Sequence, residues 1–316
     1  MKKILVTGAF GQIGSELVPV LQEKFGKENI VALGHHNIPE GFEGIVERLS
    51  IDDIKGLEEL IKKHKIDTVY HLVSLLSAKG EKDPSLTWAV NMGGLKNVLD
   101  LAVTHALKVF WPSSIAAFGP TTPKQMTPQR TIMEPTTMYG VTKVAGELLG
   151  QYYYLKHKVD IRSVRYPGII SYQTEPGGGT SDYAVAIFYD GLKTGKYECF
   201  VGPQTTLPMM YMTDAINATL KIMEAPFEKL TVRTSYNLAG FSFKASELAE
   251  EVNQHLKVEV SYNPDFRQRI ADSWPESIDD TFARQDWGWK PEFDLAKTTK
   301  VMVEGLKEKF SRTVLD

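Results

Sequence analysis

The chain has 316 residues, 42% of them apolar and 24% charged, which is ordinary for a globular protein of one large or two small domains with a proper core. Its 36 basic and 39 acidic residues give a net charge of -3 without a long run of one sign, which argues against a nucleic-acid or membrane surface and for small-molecule partners. A lone Cys199 rules out an internal disulfide, no apolar run reaches the length of a membrane span, and the first glycines follow the start without a long apolar signal region, so a cytoplasmic, reducing location is expected.

In chain order, "KILVTG" reads as a strand followed by a helix over 12–25, in which Pro19 removes the bond to the Ser15 carbonyl and predicts a kink. "NIVAL" and a loop come next, then "GIVERL" with a helix over 53–64, and "DTVYHLV" with a helix over 84–105. "LKVFWPSS" and "VDIRSVRYPG" follow, with a helical stretch over 138–157 between them. Strands dense in Val, Ile and Leu that alternate with helices predict an α/β fold, a doubly wound parallel Rossmann sheet covered on both faces. After about residue 167 the rhythm breaks into glycine- and proline-rich loops, short strands such as "YECFVG" and "TSYNLAG", and helices near 213–225, 244–256 and 295–310. The expected division is a dinucleotide-binding lobe over 1–166 and a smaller, mainly substrate-binding lobe over 167–316, packed as one compact unit.

The stretch "VTGAFGQIG" sets Gly8, Gly11 and Gly14 between the first strand and the first helix. The first glycine permits a tight turn, the second lets backbone approach a pyrophosphate, and the third allows close helix packing at a helix N-terminus that favours anions. Ser113 and Ser114 end the fifth strand, on the edge where ligands bind in such sheets. In "MYGVTK" Tyr139 and Lys143 stand four apart, on one helix face. His35 and His36 adjoin but lack further ligands at metal spacing, so no metal site is expected, and Cys199 reads as packed rather than reactive.

Glycine loop, serine and tyrosine–lysine pair together resemble the extended short-chain dehydrogenase/reductase superfamily, the sugar-nucleotide epimerase-like group, over essentially the whole chain. "HLVSLLSAKGEKDP", "RYPGIIS", "PGGGTSDYAV" and "ADSWPESIDDTFARQDWGW" further resemble the NAD-dependent, metal-independent L-threonine 3-dehydrogenases of that superfamily. The resemblance implies oxidation of L-threonine at its β-carbon to 2-amino-3-oxobutyrate, with Tyr139 as base, Lys143 as its charge partner and Ser114 holding the reacting oxygen. It implies NAD contacts at Gly8, Phe10, Gly11, Gln12, Ile13, Gly14, Ile51, Leu72, Lys143 and Tyr166. Ser74, Ser114, Tyr139, Thr180 and Ser181 would hold the substrate, with Asp182 near its ammonium group unless that aspartate orders its own loop. A homodimer through helices near 84–105 and 138–157 is also implied. Trp274, Asp279 and Asp280 lie in a family stretch, and Trp274 reads equally as core or pocket.

A free phenol ionises near pH ~10, so a tyrosine base working near neutrality needs about 4 kcal/mol of help from nearby positive charge. Two other readings compete: a sugar-nucleotide epimerase or dehydratase, which would use the same tyrosine and lysine, and a non-catalytic cofactor-sensing protein that keeps the glycine loop alone. Residues 167–210 hold two basic side chains, Lys193 and Lys196, a poor provision for a nucleotide diphosphate. Retention of Ser114, Tyr139 and Lys143 together opposes the sensor. The sequence departs from its relatives at Gly34, where an acid for the adenosine ribose is expected, and at Ser50, where a further acid is expected. With no arginine expected nearby, NAD+ should remain preferred but bound less tightly, with modest discrimination against NADP+, and Gly34→Asp should widen the preference.

Overall fold

The computed structural model describes residues 1–35 and 38–313. β1 (Ile4–Thr7) is buried along its length and is made of residues that fill a sheet covered on both faces. It leads through the glycine loop into α1 (Gly14–Phe25), followed by β2 (Ile30–Gly34), β3 (Ile45–Arg48), α2 (Ile54–His64) and β4 (Thr68–His71). α3 (Ser77–Gly80) precedes α4 (Pro84–Trp88), a π-helical segment (Ala89–Gly93) and α5 (Gly94–His105), the last three continuous through the predicted helix. Then come β5 (Lys108–Phe110), β6 (Ser113–Ser114), α6 (Met138–His157), β7 (Ile161–Arg162), β8 (Val164–Tyr166) and β9 (Gly168–Ile170).

Six strands in the order β3-β2-β1-β4-β5-β7 form a sheet whose pairs are all parallel. The chain works outward from β1 to β3 and then returns to β4 on the other side of β1, so a crevice opens at the strand ends between β1 and β4. "LKVFWPSS" is two strands rather than the single one read from the sequence. Pro112, which has no N–H for a ladder, sits in the break, and β6 turns away to pair with β8. α1 is unbroken through Pro19, which lies on its exposed face with Ser15, where water can reach the carbonyl that proline leaves unpaired.

The second half contributes α7 (Tyr183–Thr194), β10 (Lys196–Cys199), β11 (Thr206–Tyr211), α8 (Met212–Glu224), β12 (Tyr236–Asn237), β13 (Phe241–Lys244), α9 (Ala245–Asn253) and β14 (Glu259–Tyr262). α10 (Phe266–Ala271), α11 (Thr281–Trp287) and α12 (Leu295–Thr313) complete it. Small sheets β13-β11-β9 and β10-β14 lie there, while β12 joins β8 and β6. One apolar cluster is built mostly from this region, around Phe188, Leu207 and Leu306, and takes in Ile115, Phe118 and Tyr139 from the first half. A second joins Ile4, Val6 and Leu17 to Met212, Ala215 and Trp289, so α8 and the end of α11 cover a face of the first sheet. Among the described residues no helix is long and apolar enough to cross a membrane.

Candidate active site

Gly8 has a φ of 71°, the left-handed region that favours glycine, and a Cβ there would stand 3.0 Å from the Val73 amide nitrogen. A Cβ on Gly14 would lie 2.3 Å from the Gly8 carbonyl oxygen, so α1 packs directly on the loop. At Gly11 the nearest atom is that same oxygen at 3.3 Å, with nothing else in reach. Backbone is therefore exposed at Gly11, at the mouth of a helix whose N-cap, Ile13, offers no side-chain cap. Open space, bare backbone and a positive helix end suit a dinucleotide pyrophosphate.

The crevice beside this loop gathers Gln12, Ile13, Leu72, Ser74, Ser114, Tyr139, Lys143, Tyr166, Thr180, Ser181 and Asp182 into one cleft. Gly8, Phe10, Gly11, Gly14 and Ile51 lie outside it, the first four on the phosphate loop. Ile51 is buried beyond β3, where its carbonyl accepts from Asn97 Nδ2 at 3.1 Å. Tyr166 contributes backbone rather than phenol, because its hydroxyl turns away to Thr219 and the Ala215 carbonyl.

α6 starts where Thr137 Oγ1 accepts from the Gly140 amide at 3.1 Å, which puts Tyr139 in the first turn and Lys143 one turn on. Lys143 Nζ donates to the Pro112 carbonyl at 2.7 Å and sits 4.6 Å from the Trp111 ring and 5.2 Å from the Tyr139 ring. Burial pushes the Lys143 ammonium down to about 7, partly opposed by Glu147. Burial also pushes the Tyr139 phenol up to about 12, with the hydrogen bond to Ser114 acting in the other direction. Even beside Lys143, burial thus holds the phenol protonated near neutrality.

The extended pair Ser113 and Ser114 points its hydroxyls to opposite sides. Ser114 enters the cleft, whereas Ser113 donates to Glu147 Oε1 at 2.6 Å. Arg165 closes on the same carboxylate from Nε at 2.9 Å and Nη2 at 2.7 Å. Glu147 thus ties the catalytic helix to the strands that carry Ser114 and Tyr166. The sequence reading missed it, although it extends the stripe of Tyr139 and Lys143 by one more turn. Asn91 was missed too. It accepts from the Leu75 amide at 2.8 Å and donates to the Leu75 carbonyl and Thr142 Oγ1, both at 3.1 Å, which binds the loop of Ser74 to α6. It sits in the π-helical segment, whose irregular turn leaves no period to read.

Ser74, which lines the cleft, has a buried Oγ without a hydrogen-bond partner among the described residues, a polar group left to be satisfied. Thr180 Oγ1 lies 3.2 Å from Ser77 Oγ. Asp182 Oδ2 accepts from the amides of Gly178 at 2.8 Å and Gly179 at 2.7 Å, so this carboxylate orders its glycine loop while bordering the cleft. Trp274 is both core and lining. Asp280 pairs with Arg284 at 2.6 Å and Asp279 accepts from the Thr281 amide at 2.9 Å, which are structural tasks. Cys199 is buried, and burial raises its thiol.

Lys193 and Lys196 pair with Glu175 and Glu259 on the surface. Among the described residues, Lys143 is the single basic one lining the cleft. His36 lies outside the described residues, and among those described no three His, Cys, Asp or Glu residues are placed to hold a metal. Gly34 does end β2, but the expectation that no arginine stands near it is corrected: Arg48 Nη1 donates to the His35 carbonyl at 2.9 Å. Register explains the oversight, because Arg48 lies 14 residues away in sequence yet pairs with Gly34 across β2 and β3.

Residues 4–239 match the NAD dependent epimerase/dehydratase family. The chain is 48% identical over 306 residues to the mitochondrial L-threonine 3-dehydrogenase of Bos taurus, which covers 96% of this chain and 82% of that one. A solved monomeric L-threonine 3-dehydrogenase from a metagenome superimposes with a TM-score of 0.95 at 50% identity, covering 97% and 99% of the two chains. The holo form of a GalE-like L-threonine dehydrogenase from Cupriavidus necator gives 0.94 at 49% identity, covering 96% and 99%.

Proposed function

Since the chain belongs to the NAD dependent epimerase/dehydratase family, we propose that it is an enzyme that oxidises L-threonine at its β-carbon to 2-amino-3-oxobutyrate with NAD+. The observation that carries this reading is the composition of the cleft: a tyrosine–lysine–serine set beside the unpaired Ser74 hydroxyl and the polar turn 179–182, with Lys143 the one basic side chain lining it among the described residues. Hydroxyls and loop amides suit the carboxylate of a small amino acid, and Asp182 suits its ammonium. A nucleotide diphosphate would call for arginine or lysine clamps, which counts against the epimerase alternative.

Bound NAD+ would supply the hydride acceptor and a positive charge near the phenol. Gly11, Gln12 and Ile13 would hold its pyrophosphate on backbone, and Ile51 would flank the adenine side. Ser114 bonds the substrate hydroxyl and fixes it against Tyr139, which takes the hydroxyl proton. Lys143 opposes the charge that develops on the phenol. Asn91 and Glu147 hold these groups in register from behind. We also propose a reducing, cytoplasmic location, in keeping with the free thiol of Cys199.

The tests, in the parent and in Tyr139→Phe, are formation of reduced cofactor with L-threonine and without substrate, and conversion of UDP-sugars followed by product analysis. An epimerase or dehydratase turns those sugars over with no net reduction of its cofactor. Threonine-dependent reduction is expected in the parent. The variant should lose more than about a hundredfold in kcat, as loss of a general base does, while still binding cofactor. Turnover within about tenfold of the parent removes Tyr139 from this role, and activity with UDP-sugars alone supports the epimerase instead.

A further inference from the structure

The adenosine end of the dinucleotide site, outside the catalytic cleft, is built without the acid that usually ends β2 in NAD binders. Such a carboxylate bonds the ribose hydroxyls and repels a 2′-phosphate. Here β2 ends at Gly34, and a Cβ there would stand 2.7 Å from Cδ2 and 2.8 Å from Cε2 of Phe10 on the phosphate loop. Phe10 is wedged edge-on against Phe42 at 5.2 Å, so its ring cannot step aside without breaking that contact. Gly34 and Phe10 therefore act as one unit, and an aromatic ring fills the space an acidic side chain would need.

Arg48, the register partner of Gly34, anchors its exposed guanidinium on the His35 carbonyl at 2.9 Å. That bond uses one of five N–H donors, and among the described residues no carboxylate forms an ion pair with it. Among the described residues, Asp52 is an acid that feels His35, and its carboxylate is engaged first by the Ser50 hydroxyl. An arginine with free donors meets a phosphate bidentately, and the position that would repel the phosphate carries no charge.

Resting on the dinucleotide reading above, we infer that the adenosine corner accepts a 2′-phosphate with Arg48 as its partner, so that NADP+ and NAD+ both bind. Calorimetric titration of the full chain with each nucleotide, without threonine, tests this independently of turnover. The dissociation constants should agree within about tenfold. Arg48→Ala, an exposed substitution, should weaken NADP+ by about fivefold or more and NAD+ by less than about twofold. The double variant Phe10→Leu with Gly34→Asp, in which the smaller side chain makes room, should weaken NADP+ relative to NAD+ by more than about tenfold. A parent that binds NADP+ more than about tenfold weaker than NAD+, or an Arg48→Ala protein whose NADP+ affinity falls by less than about fivefold, overturns the inference while the dinucleotide reading stands. If neither nucleotide binds, the dinucleotide reading itself falls.

Discussion

Lys143 and Tyr139 pull in different directions in this protein, since burial disfavours the charged form of each. Below about 7 the pair holds two protons, an ammonium and a phenol; between about 7 and about 12 it holds one, whichever atom carries it. Only the one-proton pair contains an acceptor for the substrate proton, so kcat/KM for oxidation should rise with pH through about 7. Glu147 raises the Lys143 value, so Glu147→Gln should move that rise to lower pH, a change that looser packing alone would not produce. A pH–rate profile checks it, and an unmoved limb would limit Glu147 to scaffolding. For Asp182, the two amide bonds to Gly178 and Gly179 separate loop order from charge, because an asparagine oxygen can still accept both. Asp182→Asn should raise KM for L-threonine by about tenfold or more, as loss of a charge-assisted bond does, with cofactor affinity unchanged. An unchanged KM would make it a loop residue alone.

Elements with a period or a fixed turn requirement were legible in the sequence: the helix over 138–157 matches α6, and the first half's alternation matches the parallel sheet. Two-residue strands such as β6 and β7 carry no period of their own, and their pairing is decided by Pro112 and by partners more than 40 residues away. The site divided likewise. Residues tied to a turn, a helix face or a family motif could be read, whereas Asn91, Glu147 and Arg48 act through partners that only the fold brings near. The lobe boundary near 166 stands as a proposal about roles, because α8 packs against β1 and α1 across it. At the switch point, Thr7 and His71 are register partners of β1 and β4, joined by a 2.7 Å hydrogen bond between Thr7 Oγ1 and His71 Nδ1. Burial pushes His71 down to about 3, with Lys143 adding to the effect. His71 therefore stays neutral in the fold while its unfolded form takes a proton below about 6.5, so its stabilisation is present above that value and is lost as pH falls toward about 3. The slope is about 1.4 kcal/mol per pH unit, and denaturant unfolding of His71→Asn between pH ~5 and ~6.5 should show a correspondingly flatter dependence than the parent.

At the scale of the whole molecule, α6 has two faces with different tasks. Tyr139, Lys143 and Glu147 face inward, while Val141, Leu148, Tyr152 and Leu155 form an exposed apolar stripe on the other side. Leu86 and Trp88 of α4, which packs beside α6, add to the exposed surface. A contiguous apolar face of this kind on a charged protein marks an association surface, and a self-complementary helical face favours a twofold pair. The relative from the metagenome is described as monomeric, so the fold alone does not demand pairing and the residues of the stripe must decide it. We propose a homodimer with α6 at its centre. Burying each large apolar side chain contributes about 1.5–3 kcal/mol, and placing a charge among them costs more than that gain. Sedimentation velocity should thus find the parent as a dimer at micromolar concentration and Leu148→Arg with Leu155→Arg as a monomer. Because Thr142, Asn91 and Glu147 hold the catalytic face from inside, the monomer should keep kcat within about tenfold of the parent. A parent that sediments as a monomer would leave the stripe unexplained by self-association, and a monomeric variant without activity would show that α6 depends on its partner for its inner geometry.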